Sequence, residues 1–276
     1  MNILITGSSG FLSKEFVNLF SRHNLFHIDR QDLLHKYNLE NLVLENNIQF
    51  IIHTSWAGVG AGTFSDLVYN LAVQENIEHC SSLVKKIFLF GSGAEFKLTD
   101  NVKESSIDLN ESNHYCIGKN IVAQRIKKFP NIINLRLFGC FGKQELPTRF
   151  IKNSVTNIIN GSAIQINQDK YMDFIYIKDL YHIICHYMNS NDTRLPQSLN
   201  CVYTKKQKLS EIASFLNDMF SYNKPVQFKN SLDYNLAQPY TGSGELLNSL
   251  NIPMVGLEKG ILELYGQEAT NFRSRS

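Results

Sequence analysis

The chain has 276 residues, 43% hydrophobic and 19% charged, with a formal net charge of +2. That is the composition of a globular protein with enough apolar material for a sizeable core. No run of Lys and Arg exceeds two residues, which argues against the basic stripe of a nucleic-acid binder. No segment approaches the roughly 20 apolar residues needed to cross a bilayer.

Ile3-Leu4-Ile5 reads as a first strand, followed by a helical pattern near Leu12 to Phe20. Leu25 to Ile28, a helix near Asn38 to Glu45 and the run Phe50 to His53 come next. A long helical stretch from Phe64 to Val84 leads into Ile87 to Phe90, and a helix from His114 to Lys128 leads into Ile132 to Leu135. Continuous apolar strands alternating with helices indicate βαβ units around a parallel sheet buried on both faces.

Beyond Gly142 the pattern is less regular. Helices are expected near Thr148 to Ile159, Ile177 to Met188 and Leu209 to Phe220, with short strands at Ala163 to Ile166 and Phe174 to Tyr176. The expected division is a dinucleotide-binding domain over 1–142 with returning segments near 167–200. A smaller lobe is built from 143–166 and 201–270, and 271–276 form a disordered tail.

Five scattered cysteines without a C-x-x-C pair indicate neither a disulfide framework nor a metal site. The opening Met1-Asn2-Ile3-Leu4-Ile5 lacks a basic n-region. A soluble cytoplasmic protein, with no membrane or nucleic-acid partner, is the expectation.

Thr6-Gly7-Ser8-Ser9-Gly10-Phe11-Leu12 lies between the first strand and first helix. Glycines there let backbone N–H groups approach a pyrophosphate at the positive end of the helix. The spacing is G-x-x-G, with Ser13 where a third glycine would stand. Asp29 follows at about the 20-residue distance at which a carboxylate accepts from ribose hydroxyls, or it is a turn aspartate. Arg30 beside it suits a 2′-phosphate, so NAD and NADP both stay open. Thr54-Ser55-Trp56 ends the third strand at the ligand-binding carboxyl edge, although Trp56 also suits the core.

Tyr115-Cys116-Ile117-Gly118-Lys119 places a phenol and an ammonium four apart on one helix face. Such a cation favours phenolate and fits Tyr115 for proton exchange with an alcohol or ketone; a solvated helix face is the plainer reading. Ser92, in Gly91-Ser92-Gly93-Ala94-Glu95-Phe96, suits a hydroxyl that bonds a reacting oxygen, or a turn.

Taken in order, these motifs resemble an extended short-chain dehydrogenase/reductase, the family of nucleotide-sugar epimerases, dehydratases and 4-keto reductases. Thr6 to Gly10 resembles its TGxxGxxG turn, Ser92 to Phe96 its Ser/Thr-x-x-x-Tyr segment, and Tyr115 with Lys119 its Y-x-x-x-K. Leu135 to Gly142 is similar to LRxxNVYGP, with Gly139 in the Asn position, and Met172 to Asp179 to RDFIYVDD, with Met172 in place of Arg.

The resemblance implies a Rossmann-type doubly wound sheet with a smaller C-terminal α/β lobe. Ser92, Tyr115 and Lys119 are implied as catalytic. Gly7, Ser9, Gly10, Phe11, Leu12, Asp29, Arg30, Thr54, Ser55, Trp56, Phe138, Tyr115 and Lys119 are implied to bind NAD or NADP. Gly93, Ala94, Glu95, Arg149, Lys178 and Arg194 are candidates for the nucleotide-sugar substrate, and Gly93 and Ala94 leave space beside Ser92 for a bulky sugar. Each of these cations reads more readily as a surface charge than as a phosphate ligand.

Family dehydratases carry an acidic pair directly after the catalytic Thr; here Gly93 and Ala94 stand there. The 3,5-epimerising members use a Cys where this chain has Ala94. A 4-keto reductase is the favoured activity, on chain length and on the local pattern Arg30-Gln31-Asp32-Leu33. A 4-epimerase with bound NAD is the alternative, followed by a dehydratase or a non-catalytic nucleotide sensor. A homodimer through the Phe64–Val84 and Tyr115 helices is implied, with Leu67, Leu71, Ile77 and Val84 as an apolar stripe that equally suits the sheet.

Overall fold

The apolar runs become strands and the amphipathic stretches cover them, in a computed structural model that describes residues 1–97, 99–229 and 238–273. In chain order the elements begin with β1 (Asn2–Thr6), α1 (Phe11–Leu19), β2 (Asn24–Ile28), α2 (Lys36–Glu45), β3 (Phe50–His53), α3 (Phe64–His79), β4 (Lys86–Ser92), α4 (His114–Arg125) and β5 (Ile132–Leu137). They continue with β6 (Cys140–Phe141), α5 (Phe150–Ile159), β7 (Gln165–Ile166), β8 (Ile175–Tyr176), α6 (Ile177–Asn189) and β9 (Ser198–Asn200). The last are α7 (Leu209–Met219), β10 (Gln227–Phe228), α8 (Glu245–Ser249) and α9 (Leu257–Arg273).

Six strands pair in parallel in the order β2-β1-β3-β4-β5-β9. Two short parallel pairs, β6–β8 and β7–β10, lie outside this sheet. Alternation along β1 explains the layering. Ile3 and Ile5 enter one apolar cluster with Phe16 of α1 and Ile183 of α6. Leu4, between them, enters another with Val73 and Ile77 of α3. A sheet covered on both faces needs strands that are apolar throughout, and these are. No helix among the described residues is long and apolar enough to cross a membrane.

The boundaries differ from the sequence reading in instructive ways. The stretch expected as one helix to Val84 leaves α-geometry at His79 and closes with a 3-10 turn, Cys80–Leu83. Likewise α4 ends at Arg125 and a 3-10 turn carries the chain to Lys128. Phe129, which precedes Pro130, is extended, as proline requires of its neighbour.

Ile77 and Val84, expected in a dimer stripe, are buried in the sheet-facing cluster, and Leu71 packs against it. The tail expected from 271 is also revised, because α9 runs to Arg273; residues 274–276 lie outside the described residues. α9 was missed, although Leu257, Ile261 and Leu264 have helical spacing, with the latter two fully buried.

Candidate active site

The carboxyl ends of β1, β3, β4 and β5 meet along one edge, with Thr6 opposite His53 and Ser92 opposite Leu137. Gly7 turns the chain there with φ +75°, and a Cβ on it would lie 2.9 Å from the Ser55 nitrogen. Glycine is therefore required by conformation and by space. Gly10 N–H donates to the Gly7 carbonyl at 2.9 Å. No side chain caps α1 and no acid sits in its first turn, which leaves its first N–H groups available to an anion.

Ser9 and Gly10 are exposed, with Phe11 and Leu12 half-buried behind them. Ser13 is fully buried; its small side chain fits the place of a third glycine. Thr54 Oγ1 donates to the Thr6 carbonyl at 2.5 Å, and Ser55 N–H donates to Thr6 Oγ1 at 3.3 Å. Asp29 and Arg30 are exposed just past β2. The Arg30 guanidinium lies 4.3 Å above the Tyr69 ring, whose hydroxyl donates to the Arg30 carbonyl at 3.1 Å.

Tyr115 and Lys119 are positioned by α4, whose N-cap Asn113 accepts from Cys116 N–H at 3.0 Å. Tyr115 N–H donates to the Ala61 carbonyl at 3.0 Å, tying the helix start to the loop after β3. Trp56 forms the floor. Its ring stands edge-on to Tyr115 at 6.2 Å, and Lys119 Nζ lies 3.5 Å from its centroid. Trp56 thus packs between Tyr115 and Lys119.

Lys119 is buried and donates to the Phe90 carbonyl at 2.7 Å. Burial pulls its pKa down to about 7, with Glu95 opposing. The expected depression of the Tyr115 pKa by Lys119 is not found in the free protein. Burial raises it, and a hydrogen bond from Ser92, together with Arg149, pulls it partly back. The Lys119 ammonium is turned toward Phe90 and Trp56, 5.8 Å from the Tyr115 centroid.

Beneath them His53 bonds Thr6 Oγ1 through Nδ1 at 2.9 Å. Its pKa falls to about 3 by burial and then by Lys119, so it is neutral at physiological pH.

Ser92 ends β4 and starts a 3-10 turn, accepting from Ala94 N–H at 3.1 Å. Its second partner was not anticipated. Tyr240, from the far end of the chain, brings its hydroxyl to 3.1 Å from Ser92 Oγ. The Tyr240 ring packs on Phe138 with centroids 5.2 Å apart. A Cβ on Gly93 would lie 2.4 Å from the Phe138 ring and 3.0 Å from Tyr240. No periodicity marks Tyr240; only the approach of its segment to Ser92 does.

Several candidates are corrected. The space read beside Gly93 is filled by these two rings, and Ala94 serves through its N–H. Phe138 is 5% exposed and packs on Tyr240 as part of this wall. Glu95 is 1% exposed and turned inward, accepting from Arg136 Nε at 2.7 Å and from Ser92 N–H at 3.0 Å. Lys178 is held by Glu263 of α9 at 2.6 Å.

Arg194 is exposed, paired with Asp192 at 2.9 Å. It lies on the loop that precedes β9, next to Ser190, whose carbonyl accepts from Lys86 Nζ at the start of β4. That is the edge opposite Ser92, so Arg194 leaves the substrate set. Arg149, exposed at the start of α5, acts electrostatically on Tyr115 and remains.

Fold and site together define a Rossmann-type α/β protein with a phenol, a lysine and a serine hydroxyl at the ligand-binding edge of its sheet. A dinucleotide fits these residues: a cradle that a Cβ would fill, an uncapped helix start, and a buried lysine that makes no salt bridge among the described residues. The chain belongs to the NAD-dependent epimerase/dehydratase family, whose model matches residues 3–201.

Among solved structures, a UDP-glucose 4-epimerase from Thermotoga maritima is similar at 16% identity and a TM-score of 0.80, covering 100% of this chain and 99% of that one. A GDP-mannoheptose C4 reductase from Campylobacter jejuni is similar at 20% identity and a TM-score of 0.74, covering 96% and 98%. A dTDP-glucose 4,6-dehydratase from Bacillus anthracis is similar at 15% identity and a TM-score of 0.77, covering 98% and 97%. Comparison with curated proteins gave no match. Chain length does not separate the activities, since the 4-epimerase is covered as fully as the reductase.

Proposed function

We propose that the protein reduces the 4-keto group of a nucleotide-activated 6-deoxy sugar with NADH or NADPH, in the cytoplasm, in the supply of sugars for surface polysaccharide. The observation that carries this reading is the wall of Phe138 and Tyr240 against Gly93. A 4-epimerase must turn its keto sugar over against the cofactor, which takes free volume at Ser92; a reductase needs one bound face only. Glu95 argues against dehydration, because its carboxylate is committed to Arg136.

Gly7, Ser9, Gly10, Phe11 and Leu12 would cradle the pyrophosphate, with Asp29 and Arg30 at the adenosine end. When bound, the reduced nicotinamide supplies a hydride to the ketone carbon. Tyr115 gives its phenolic proton to the ketone oxygen, so the ketone becomes an alcohol. Ser92 donates a hydrogen bond to that oxygen as charge develops on it. Lys119 would hold the ribose, and the Ser92 hydrogen bond and Arg149 favour the phenolate left on Tyr115.

Holding both reactants in one cleft supplies much of the acceleration. Arg149 is the cation in place for the sugar nucleotide. The lobe of 143–166 and 201–270 would select the sugar. A homodimer through α3 and α4 completes the proposal, with Phe64 and Val68 exposed on α3.

The test follows nicotinamide absorbance with NADH or NADPH and a panel of nucleotide-4-keto-6-deoxy sugars generated in situ. Stoichiometric cofactor loss with one sugar is expected. No loss with any sugar, together with NAD in the denatured protein's extract, would replace the reductase by a 4-epimerase.

A further inference from the structure

Ser92 has one proton to give and two lone pairs to receive with. One lone pair takes the Ala94 N–H at 3.1 Å. What Tyr240 does with the second decides where the Ser92 proton points. The Ala94 amide also faces the Tyr240 oxygen, and the Tyr240 hydroxyl lies 3.1 Å from Ser92 Oγ, where either oxygen can be the donor. When Tyr240 is the donor, both Ser92 lone pairs are engaged and the Ser92 proton goes to its remaining neighbour, Tyr115.

We infer that Tyr240 is a positioning residue: its phenol donates to Ser92 and so commits the Ser92 hydroxyl to the oxygen that Tyr115 protonates. This rests on the reaction proposed above and adds a residue to it.

The placement is built into the backbone. Residues 239–243 form an extended strap bonded on both flanks. On one side Thr241 N–H donates to the Thr99 carbonyl at 2.8 Å, Val102 N–H to the Thr241 carbonyl at 3.1 Å, and Ser243 N–H to the Val102 carbonyl at 2.7 Å. On the other, Tyr240 N–H donates to the Tyr171 carbonyl at 2.9 Å and Asp173 N–H to the Tyr240 carbonyl at 3.1 Å.

Asp173, itself paired with Lys206 at 2.6 Å, accepts from Gly242 N–H at 2.9 Å. A Cβ on Gly242 would meet the Phe138 ring at 2.6 Å, so the strap lies flat against that ring. A hydroxyl held this way loses little freedom on reaching its target, which is the requirement for a supporting group.

The test uses Tyr240→Phe, which keeps the ring on Phe138 and removes only the hydroxyl, with Ser92→Ala and the double variant. With a turned-over sugar, kcat should fall about ten-fold in Tyr240→Phe, the worth of one hydrogen bond. KM for the cofactor should stay unchanged. Because Tyr240 acts through Ser92, the double variant should be no slower than Ser92→Ala alone; losses that multiply would overturn the inference.

A second arm needs no substrate. Tyr115 is faced by Ser92, Cys116, Glu95 and Arg149, with Lys119 and Trp56 beside it. Its titration is followed by NMR of protein carrying ¹³C-labelled tyrosine, assigned with Tyr115→Phe. Freed from Tyr240, Ser92 turns away and the Tyr115 midpoint rises; an unchanged midpoint overturns the inference. If the wild-type protein reduces no keto sugar, the proposed reaction falls while this titration still decides the role of Tyr240.

Discussion

Glu95 and Arg136 form an ion pair of 2.7 Å with side chains 1% and 7% exposed, one residue pair inside the carboxyl edge of the sheet. The same carboxylate accepts from Ser92 N–H at 3.0 Å and from Asn134 Nδ2 at 3.4 Å. A charge buried this deeply is tolerated only with its partner. Glu95→Ala leaves the guanidinium unpaired and should cost about 3–5 kcal/mol of stability, measured by urea unfolding. Glu95→Gln, which retains an acceptor for Ser92, should cost less and keep measurable turnover.

Lys119, the proposed ribose ligand, opposes stability. Its pKa near 7, against 10.5 unfolded, means the unfolded chain binds more protons between those values. This group's contribution therefore rises with pH across that window and is most unfavourable below it. Lys119→Met should raise Tm near neutral pH, by about 2–4 °C for each kcal/mol recovered, and should abolish reduction of the sugar. A calorimetric scan beside a rate assay checks both.

His53 acts with the same sign in a more acidic window. It stays neutral to about pH 3 when folded, whereas the unfolded histidine protonates near 6.5. Its contribution is intact above 6.5 and is lost by about 1.4 kcal/mol per pH unit as pH falls toward 3. Glu145 runs the other way, since burial raises its pKa to about 8, so only a variant isolates the histidine. His53→Gln should flatten the acid limb of stability between pH 6.5 and 3.

Gly93→Ala tests the wall. The added carbon would meet Phe138 at 2.4 Å, so the two rings must move and Tyr240 with them. Overpacking of this kind costs about 1–3 kcal/mol. Turnover should fall at least as far as in Tyr240→Phe, with NADPH affinity, read by fluorescence titration, unchanged.

The parallel sheet was legible because Ile3, Leu4 and Ile5 are apolar without a break, as a strand covered on both faces must be. Gly7, Asp29, Ser92 and Tyr115 with Lys119 were legible because each stands at a fixed place in a βα unit. Orientation was not. Nothing at Glu95 says that its carboxylate turns inward toward Arg136. Lys178 and Arg194 carry the right charge, yet Glu263 and Asp192 hold them elsewhere. Tyr240 was invisible because its position follows from hydrogen bonds to residues near 100 and 172, which no local pattern encodes.

The strap also sets a time. Tyr240 lies 148 residues after Ser92, and chains grow at about 5–20 residues per second. Ser92 therefore leaves the ribosome on the order of ten seconds or more before its partner. Through that interval the nascent chain can complete its first strands and its glycine turn. Over the same interval the Ser92 hydroxyl has its local Ala94 contact but not yet its Tyr240 partner.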